Sequence, residues 1–178
     1  MVVDVDDRIL VGAAQAGDLD AFAALVRRYE GPVFRVALRM LASHADAQDV
    51  SQDTFVRAWQ ALGRFRGDSA VGTWLYRIVT RRCLDVLAAR RPTAVLDDRH
   101  PADGGDPAAS AEQRERLHAV ARELAALPAD QRAALVLREF EGLPYEQIAK
   151  VLDTTVPAIK GRIHRARLTV LKQTTTWR

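Results

Sequence analysis

The sequence predicts an all-α protein: two small helical domains joined by a flexible linker, the second ending in a helix-turn-helix. Three observations carry this. Strand signals are nearly absent, while Ala, Leu, Arg and Glu recur at three-and-four spacing through almost all of the 178 residues. The pattern collapses once, between Arg91 and Ala111, into Pro92, Pro101, Gly104, Gly105, Pro107 and four aspartates, the composition of an acidic, extended linker. The last quarter holds two amphipathic segments on either side of a short break at Asp153-Thr154-Thr155.

Each element follows from its caps and breakers. A first helix covers Val5 to Gln15 and stops at Gly17, and Asp18 caps a second that runs to Glu30. Gly31-Pro32 bends the path because proline lacks the amide that a helix interior uses, and Val33 to Leu41 resumes as helix. Ser43 caps the next helix, which reaches Leu62 and ends at Gly63. The loop Arg64-Phe65-Arg66-Gly67-Asp68 precedes a long helix from Ser69 to Arg90. Beyond the linker, helices run from Glu112 to Ala126 and, opened by Pro128, from Asp130 to Glu141, where Gly142 ends the turn. The boundaries are thus 1–91, 92–111 and 112–178.

The closing pair of helices divides into two faces by spacing alone. Val156, Ile159, Ile163, Ala166 and Val170 recur at helical intervals and define the stripe that packs inward. By subtraction, the opposite face carries Pro157, Ala158, Gly161, His164 and Arg165, with Lys160, Arg162 and Arg167 on its flanks. Small residues there allow close approach to base edges, and flanking cations suit phosphates. Thr155 is the expected cap, and Pro157 is tolerated in a first turn, where its amide would have no intrahelical acceptor.

Charge is distributed to match. The net value is +3, but residues 1–91 carry 13 basic and 11 acidic groups, 92–111 carry 1 and 4, and 112–178 carry 12 and 8. After Asp153 there are six cations and no acid, which reads as the footprint of an element that meets a polyanion or as a solvated basic helix end. Cys83 is the single cysteine and cannot form an internal disulfide. No apolar run is long enough to span a bilayer and no signal core is visible, so a soluble cytoplasmic protein is expected.

Two further constellations stand out. On the helix after Ser43, the acids Asp46, Asp49 and Asp53 share one narrow arc, opposite Ala47, Val50, Thr54, Phe55, Ala58 and Leu62. This reads as a solvated charged face or as a docking surface for a basic partner; no histidine or second acidic cluster completes a metal sphere. Between Arg64 and Arg82, the run Arg64-Phe65-Arg66 is followed by Trp74, Arg77 and Arg81 on one helical face, a mixture suited to unstacked bases beside phosphates. Trp74 is equally readable as core. The four histidines, His44, His100, His118 and His164, have no metal-ligand spacing with Cys83, which reads as a buried inert thiol. No phosphate loop, nucleophile elbow or paired-acid signature appears, so no catalytic residue, metal or cofactor is expected.

In order along the chain, the parts resemble the extracytoplasmic-function sigma factors of bacterial RNA polymerase. Gly17-Asp18-Leu19-Asp20-Ala21-Phe22 is similar to the opening of that family's first domain, and the segment from Asp46 to Trp59 to its core-binding helix. Phe65-Arg66-Gly67-Asp68-Ser69 and Thr73-Trp74-Leu75-Tyr76-Arg77-Ile78 resemble its promoter-melting loop and helix; Leu127-Pro128 and Gly142-Leu143-Pro144-Tyr145 resemble the start of its second domain. The resemblance implies that Asp49, Gln52 and Asp53 contact the clamp helices of the largest polymerase subunit. It implies that Arg64, Phe65, Arg66, Asp68, Ser69, Trp74, Arg77 and Arg81 capture a flipped base of the minus-ten element, where unstacking costs a few kcal/mol. It implies that Thr155, Pro157, Ala158, Lys160, Gly161, Arg162, His164, Arg165 and Arg167 meet the minus-thirty-five duplex in the major groove. An anti-sigma factor is the implied regulator, and the linker would thread the RNA exit path, its aspartates imitating nucleic-acid charge. The chain departs from the family pattern at Arg81, Asp153, Pro157, Ala158 and Gly161. A stand-alone helix-turn-helix regulator is the alternative reading, and a helical enzyme with aspartate-held metal a third.

Overall fold

The computed structural model describes residues 6–90 and 111–175. The expected linker therefore lies outside the described residues apart from Ala111, as do the start expected for the first helix and the chain's last three residues. Among the described residues the order is α1 (Asp7–Gln15), α2 (Leu19–Leu41), α3 (His44–Ala61), a 3-10 turn (Leu62–Arg64), α4 (Val71–Ala89), α5 (Ala111–Ala125), α6 (Ala129–Glu139), α7 (Tyr145–Val151) and α8 (Val156–Thr175), with no strand. No helix among the described residues is long and apolar enough to cross a membrane.

The expected caps form. The Asp18 carboxylate accepts from the amides of Asp20 and Ala21 at 2.9 and 3.1 Å, and Ser43 Oγ accepts from the Asp46 amide at 3.3 Å. Pro32 does not interrupt its helix: α2 is continuous from Leu19 to Leu41. A proline inside a helix costs about 3 kcal/mol, and the adjoining Val33, Val36, Ala37, Leu38, Met40 and Leu41 are all buried, which outweighs it. Gly63 does not end α3 cleanly either, since the 3-10 turn carries the chain through it to Arg64. The left-handed residue that closes α2 is Ala42, at φ 54°, a position with no glycine to announce it.

Helix α2 is the central post. Helices α1, α3 and α4 pack on it from one group, α6, α7 and α8 form the other, and α5 lies against both α2 and α6. The two groups pack on each other, α2 against α5 and α6 and α4 against α6 and α7, so buried side chains of both make one continuous apolar cluster.

A buried guanidinium fastens this join. The last carbonyls of any helix lack intrahelical donors, and α2 and α5 both end near Arg132, which is 6% exposed. Arg132 donates through Nη1 to the Met40 carbonyl, and through Nη2 to those of Ala125 at 2.6 Å and Leu127 at 3.0 Å. Arg90 adds a bond to the Leu41 carbonyl at 3.2 Å. No carboxylate among the described residues pairs with Arg132; the negative ends of two helix dipoles stand in for one. Burial pushes its guanidinium below its ordinary pKa. Nearby, the rings of His44 on α3 and His118 on α5 stack across the join with centroids 6.1 Å apart.

Candidate nucleic-acid interface

The turn between α7 and α8 is set by Asp153, left-handed at φ 50°, a conformation aspartate tolerates better than most residues. Thr155 caps α8, its Oγ1 accepting from the Ala158 amide at 3.3 Å. Ile159, Ile163 and Ala166 are buried and Val156 and Val170 half-buried, so the apolar stripe faces inward as its spacing predicts. Pro157, Lys160, His164, Arg165 and Arg167 are exposed on the other side, with Ala158, Gly161 and Arg162 half-buried beside them.

The cations of this face are not equivalent. Arg162 is tied back to Asp130 at 3.1 Å and Arg167 to Glu139 at 2.5 Å, both on α6. The hydrogen bond from Arg167 to Glu139 also raises its guanidinium above the usual value. Among the described residues no carboxylate holds Lys160 or Arg165. The Tyr145 ring orients its surroundings, with Arg138 over it at 4.6 Å and the Lys160 ammonium at 5.7 Å. The Arg165 guanidinium lies over Gly161, where a Cβ would meet its Nη1 at 3.4 Å, an ordinary van der Waals contact.

On the first group, the loop ahead of α4 is held by a residue the sequence reading missed. Gln15, the last residue of α1, donates from Nε2 to the carbonyls of Leu62 at 2.9 Å and Phe65 at 2.8 Å. Gly67, at φ 76°, makes the turn, and Phe65 lies against Trp74 with centroids 4.7 Å apart and planes 34° apart. Both rings are half-buried, so Trp74 is at once part of the packing and partly open. Arg64, Arg66, Asp68, Arg77 and Arg81 are exposed and Ser69 half-buried. Arg77, Arg81 and Leu84 line a cleft of about 150 Å³ whose other wall is Val151, Leu152 and Asp153 from the helix-turn-helix.

The acidic arc on α3 forms, with its inward side packed as expected: Ala47, Val50, Thr54, Ala58 and Leu62 are buried. Two of its three acids are already engaged. Asp46 pairs with Arg90, and Asp53 with Arg82 and, at 2.9 Å, with Arg57. Burial alone would raise the Asp53 carboxyl, but hydrogen bonds from Arg57 and Arg82 outweigh it and bring it below the ordinary carboxylate value. Asp49 and Gln52 are exposed, and Asp49 has no ion-pair partner among the described residues. Among those residues, no three His, Cys, Asp or Glu side chains come together to hold a metal. Cys83 is buried, and burial raises its thiol to about 12.

Two family models match the chain: sigma-70 region 2 over residues 25–93 and sigma-70 region 4 over residues 117–170. The RNA polymerase sigma-H factor of Pseudomonas aeruginosa is 39% identical, over 94% of this chain and 93% of its own length. The chain belongs to the sigma-70 family, as an extracytoplasmic-function sigma factor. The ECF RNA polymerase sigma-E factor of Escherichia coli K12 is 37% identical over the same shares. Among solved structures, CnrH in complex with the cytosolic domain of CnrY matches with a TM-score of 0.75 at 32% identity, over 96% of this chain and 97% of that one. The sigma factor RpoE of Bartonella quintana, solved with the anti-sigma factor NepR, shares the fold at a TM-score of 0.62 and 24% identity, over 90% of this chain. This sigma factor directs promoter-specific initiation by RNA polymerase, with core polymerase and promoter DNA as its partners.

Proposed function

We propose that the three surfaces divide the work of initiation. Residues 1–91 bind core polymerase through Asp49, Gln52 and Asp53. The same unit takes an unstacked base of the minus-ten element between Arg64, Phe65, Arg66, Asp68, Ser69, Trp74, Arg77 and Arg81. Residues 112–178 read the minus-thirty-five duplex through Thr155, Pro157, Ala158, Lys160, Gly161, Arg162, His164, Arg165 and Arg167, and residues 92–111 span between. The protein acts in the cytoplasm as a non-enzymatic subunit. It is restrained by an anti-sigma factor, a reading that the RpoE–NepR complex supports.

The observation that carries the residue roles is the sorting of α8's cations. Arg162 and Arg167 are held by carboxylates of α6 and serve as flanking cations, whereas no carboxylate among the described residues holds Lys160 or Arg165. Arg165, which lies over the small Gly161 on the exposed face, is assigned to a base edge, and Lys160, on the flank, to a phosphate. With core polymerase on cognate promoters, Lys160→Ala then weakens binding about equally on all sequences, while Arg165→Ala also changes the preferred base, by about 1–3 kcal/mol. Equal losses on every sequence for both would remove direct readout by Arg165. For the core-binding face, Asp49→Arg is the cleanest perturbation, because Asp53 also holds α4 through Arg82. Undiminished binding of that variant to core polymerase would overturn the assignment of the ridge.

A further inference from the structure

Among the described residues, the stretch 66–69 makes no hydrogen bond, so the shape of the loop ahead of α4 depends on how its two ends are held. The near end is held from α1. Gln15 closes that helix, and its Nε2 donates to the Leu62 carbonyl at 2.9 Å and to the Phe65 carbonyl at 2.8 Å. A primary amide carries two such hydrogens in one plane, whereas a carboxylate of the same size carries none. The helix behind this amide is itself well anchored. Val11 and Ala14 are buried, and at the other end of α1 Asp7 accepts from Arg28 and from the Tyr29 hydroxyl of α2. The far end of the loop leans on the same tyrosine: Gly72, in the first turn of α4, lies so close to the Tyr29 ring that a Cβ there would come within 3.1 Å of it. Between these ends the Phe65 ring lies against Trp74, so this one residue is fixed by its carbonyl and by its ring at once.

We propose that Gln15 is a positioning residue for promoter opening: its amide braces the 65–69 loop in the shape that takes an unpaired base, and it acts through the Phe65 carbonyl without touching DNA. The proposal rests on the reading of that loop as part of the minus-ten surface. Its physical basis is pre-organisation. Drawing a base out of the stack already costs free energy, and a loop that had to be ordered at the same moment would add the loss of its own backbone freedom. Holding the loop in its bound shape beforehand removes that second cost. The fold itself depends little on the brace. Without Gln15, the Leu62 carbonyl keeps the Phe65 amide as a donor at 3.0 Å, and the Phe65 carbonyl, at an exposed contact, turns to water. A glutamate at this position would turn acceptors toward both carbonyl oxygens and push the loop away.

The test uses the full chain with Arg66→Cys, an exposed position in the loop, as the attachment point for a nitroxide; the native Cys83 is buried and stays unlabelled. Gln15→Met, which keeps the length and removes both hydrogens, should sharpen the continuous-wave spectrum of the label, and Gln15→Glu should do so at least as much. In the chain without Arg66→Cys, holoenzyme formed with either variant should bind a single-stranded minus-ten oligonucleotide of a cognate promoter about tenfold more weakly, as expected when the competent fraction of the loop falls to about a tenth. Core binding, binding to the minus-thirty-five duplex and the urea midpoint should stay at the parent's values. Either variant alone decides the matter if the other loses helix content by circular dichroism. A spectrum unchanged by both substitutions overturns the bracing role, whatever DNA binding does. A lowered urea midpoint with core binding lost in step makes Gln15 a residue of the fold at large and overturns it too. A sharper spectrum with unchanged affinity for the single strand overturns instead the reading of the loop as a DNA surface, and the positioning role with it.

Discussion

Arg132→Ala tests whether a single buried guanidinium joins the two helical groups. Three carbonyls, of Met40, Ala125 and Leu127, take its hydrogen bonds, and those of Met40 and Ala125 lie at helix ends where no intrahelical amide can reach them. Hydrogen bonds to a charged group contribute about 1.5–3 kcal/mol each, so three would give about 5–9 kcal/mol if simply added. Against this stands the lost hydration of the guanidinium, several kcal/mol for a buried ion, and its Nε has no partner. The net expectation is a loss of about 3–5 kcal/mol, the range for taking one member out of a buried charged contact. Urea unfolding of the full chain, followed by far-ultraviolet circular dichroism, measures it. Arg116→Ala is the control: that side chain is 77% exposed in an ion pair with Glu112, and its removal should stay within about 0.5 kcal/mol. Arg132→Lys should recover only part of the loss, because an ammonium cannot present a planar fork to carbonyls on two helices. A loss below about 1 kcal/mol in Arg132→Ala, or complete recovery by lysine, refutes the account.

Three further outcomes follow from single positions. Because burial holds the Cys83 thiol up near 12, the native chain at pH 8 should resist a thiol-specific reagent and the denatured chain take up one equivalent; rapid native labelling would contradict its burial. Burial, the facing His44 on α3 and Arg122 on its own helix all lower the pKa of His118 below 6.5, so the folded chain binds that proton less tightly than the unfolded one. Stability from this site is then whole above 6.5 and falls as pH drops below it, and thermal unfolding between neutral and mildly acid pH should show a slope that His118→Gln reduces; equal slopes would sink the idea. At the left-handed Asp153, glycine should be neutral or stabilising while Asp153→Val loses about 1–2 kcal/mol in urea midpoint experiments, and a fully tolerated valine would mean the turn is not strained.

What was legible in the sequence divides by how far apart the interacting residues lie. The α8 stripe of Ile159, Ile163 and Ala166, the caps at Asp18, Ser43 and Thr155, and the acidic arc on α3 are all written within a few turns of chain, and each appears as read. The outward face of α8 was legible for the same reason, as what remains once the stripe is taken away. The engagement of Asp46 by Arg90 and of Asp53 by Arg82 was not, because it depends on how α3 crosses α4. Least legible was the join, where Arg39 meets Glu141 and Arg132 meets Met40 across 102 and 92 positions of sequence. Periodicity assigns isolated charges to solvent, and here that default fails. A local signal did exist: Arg132 stands three and four residues before Leu135 and Val136, and Arg39 lies within the run Val36 to Leu41, every member of which is buried. A charge in phase with an apolar stripe can stay only if something distant satisfies it. In this chain the distant groups belong to the other half of the molecule, so the charges that break the pattern are the ones that record how the two halves meet.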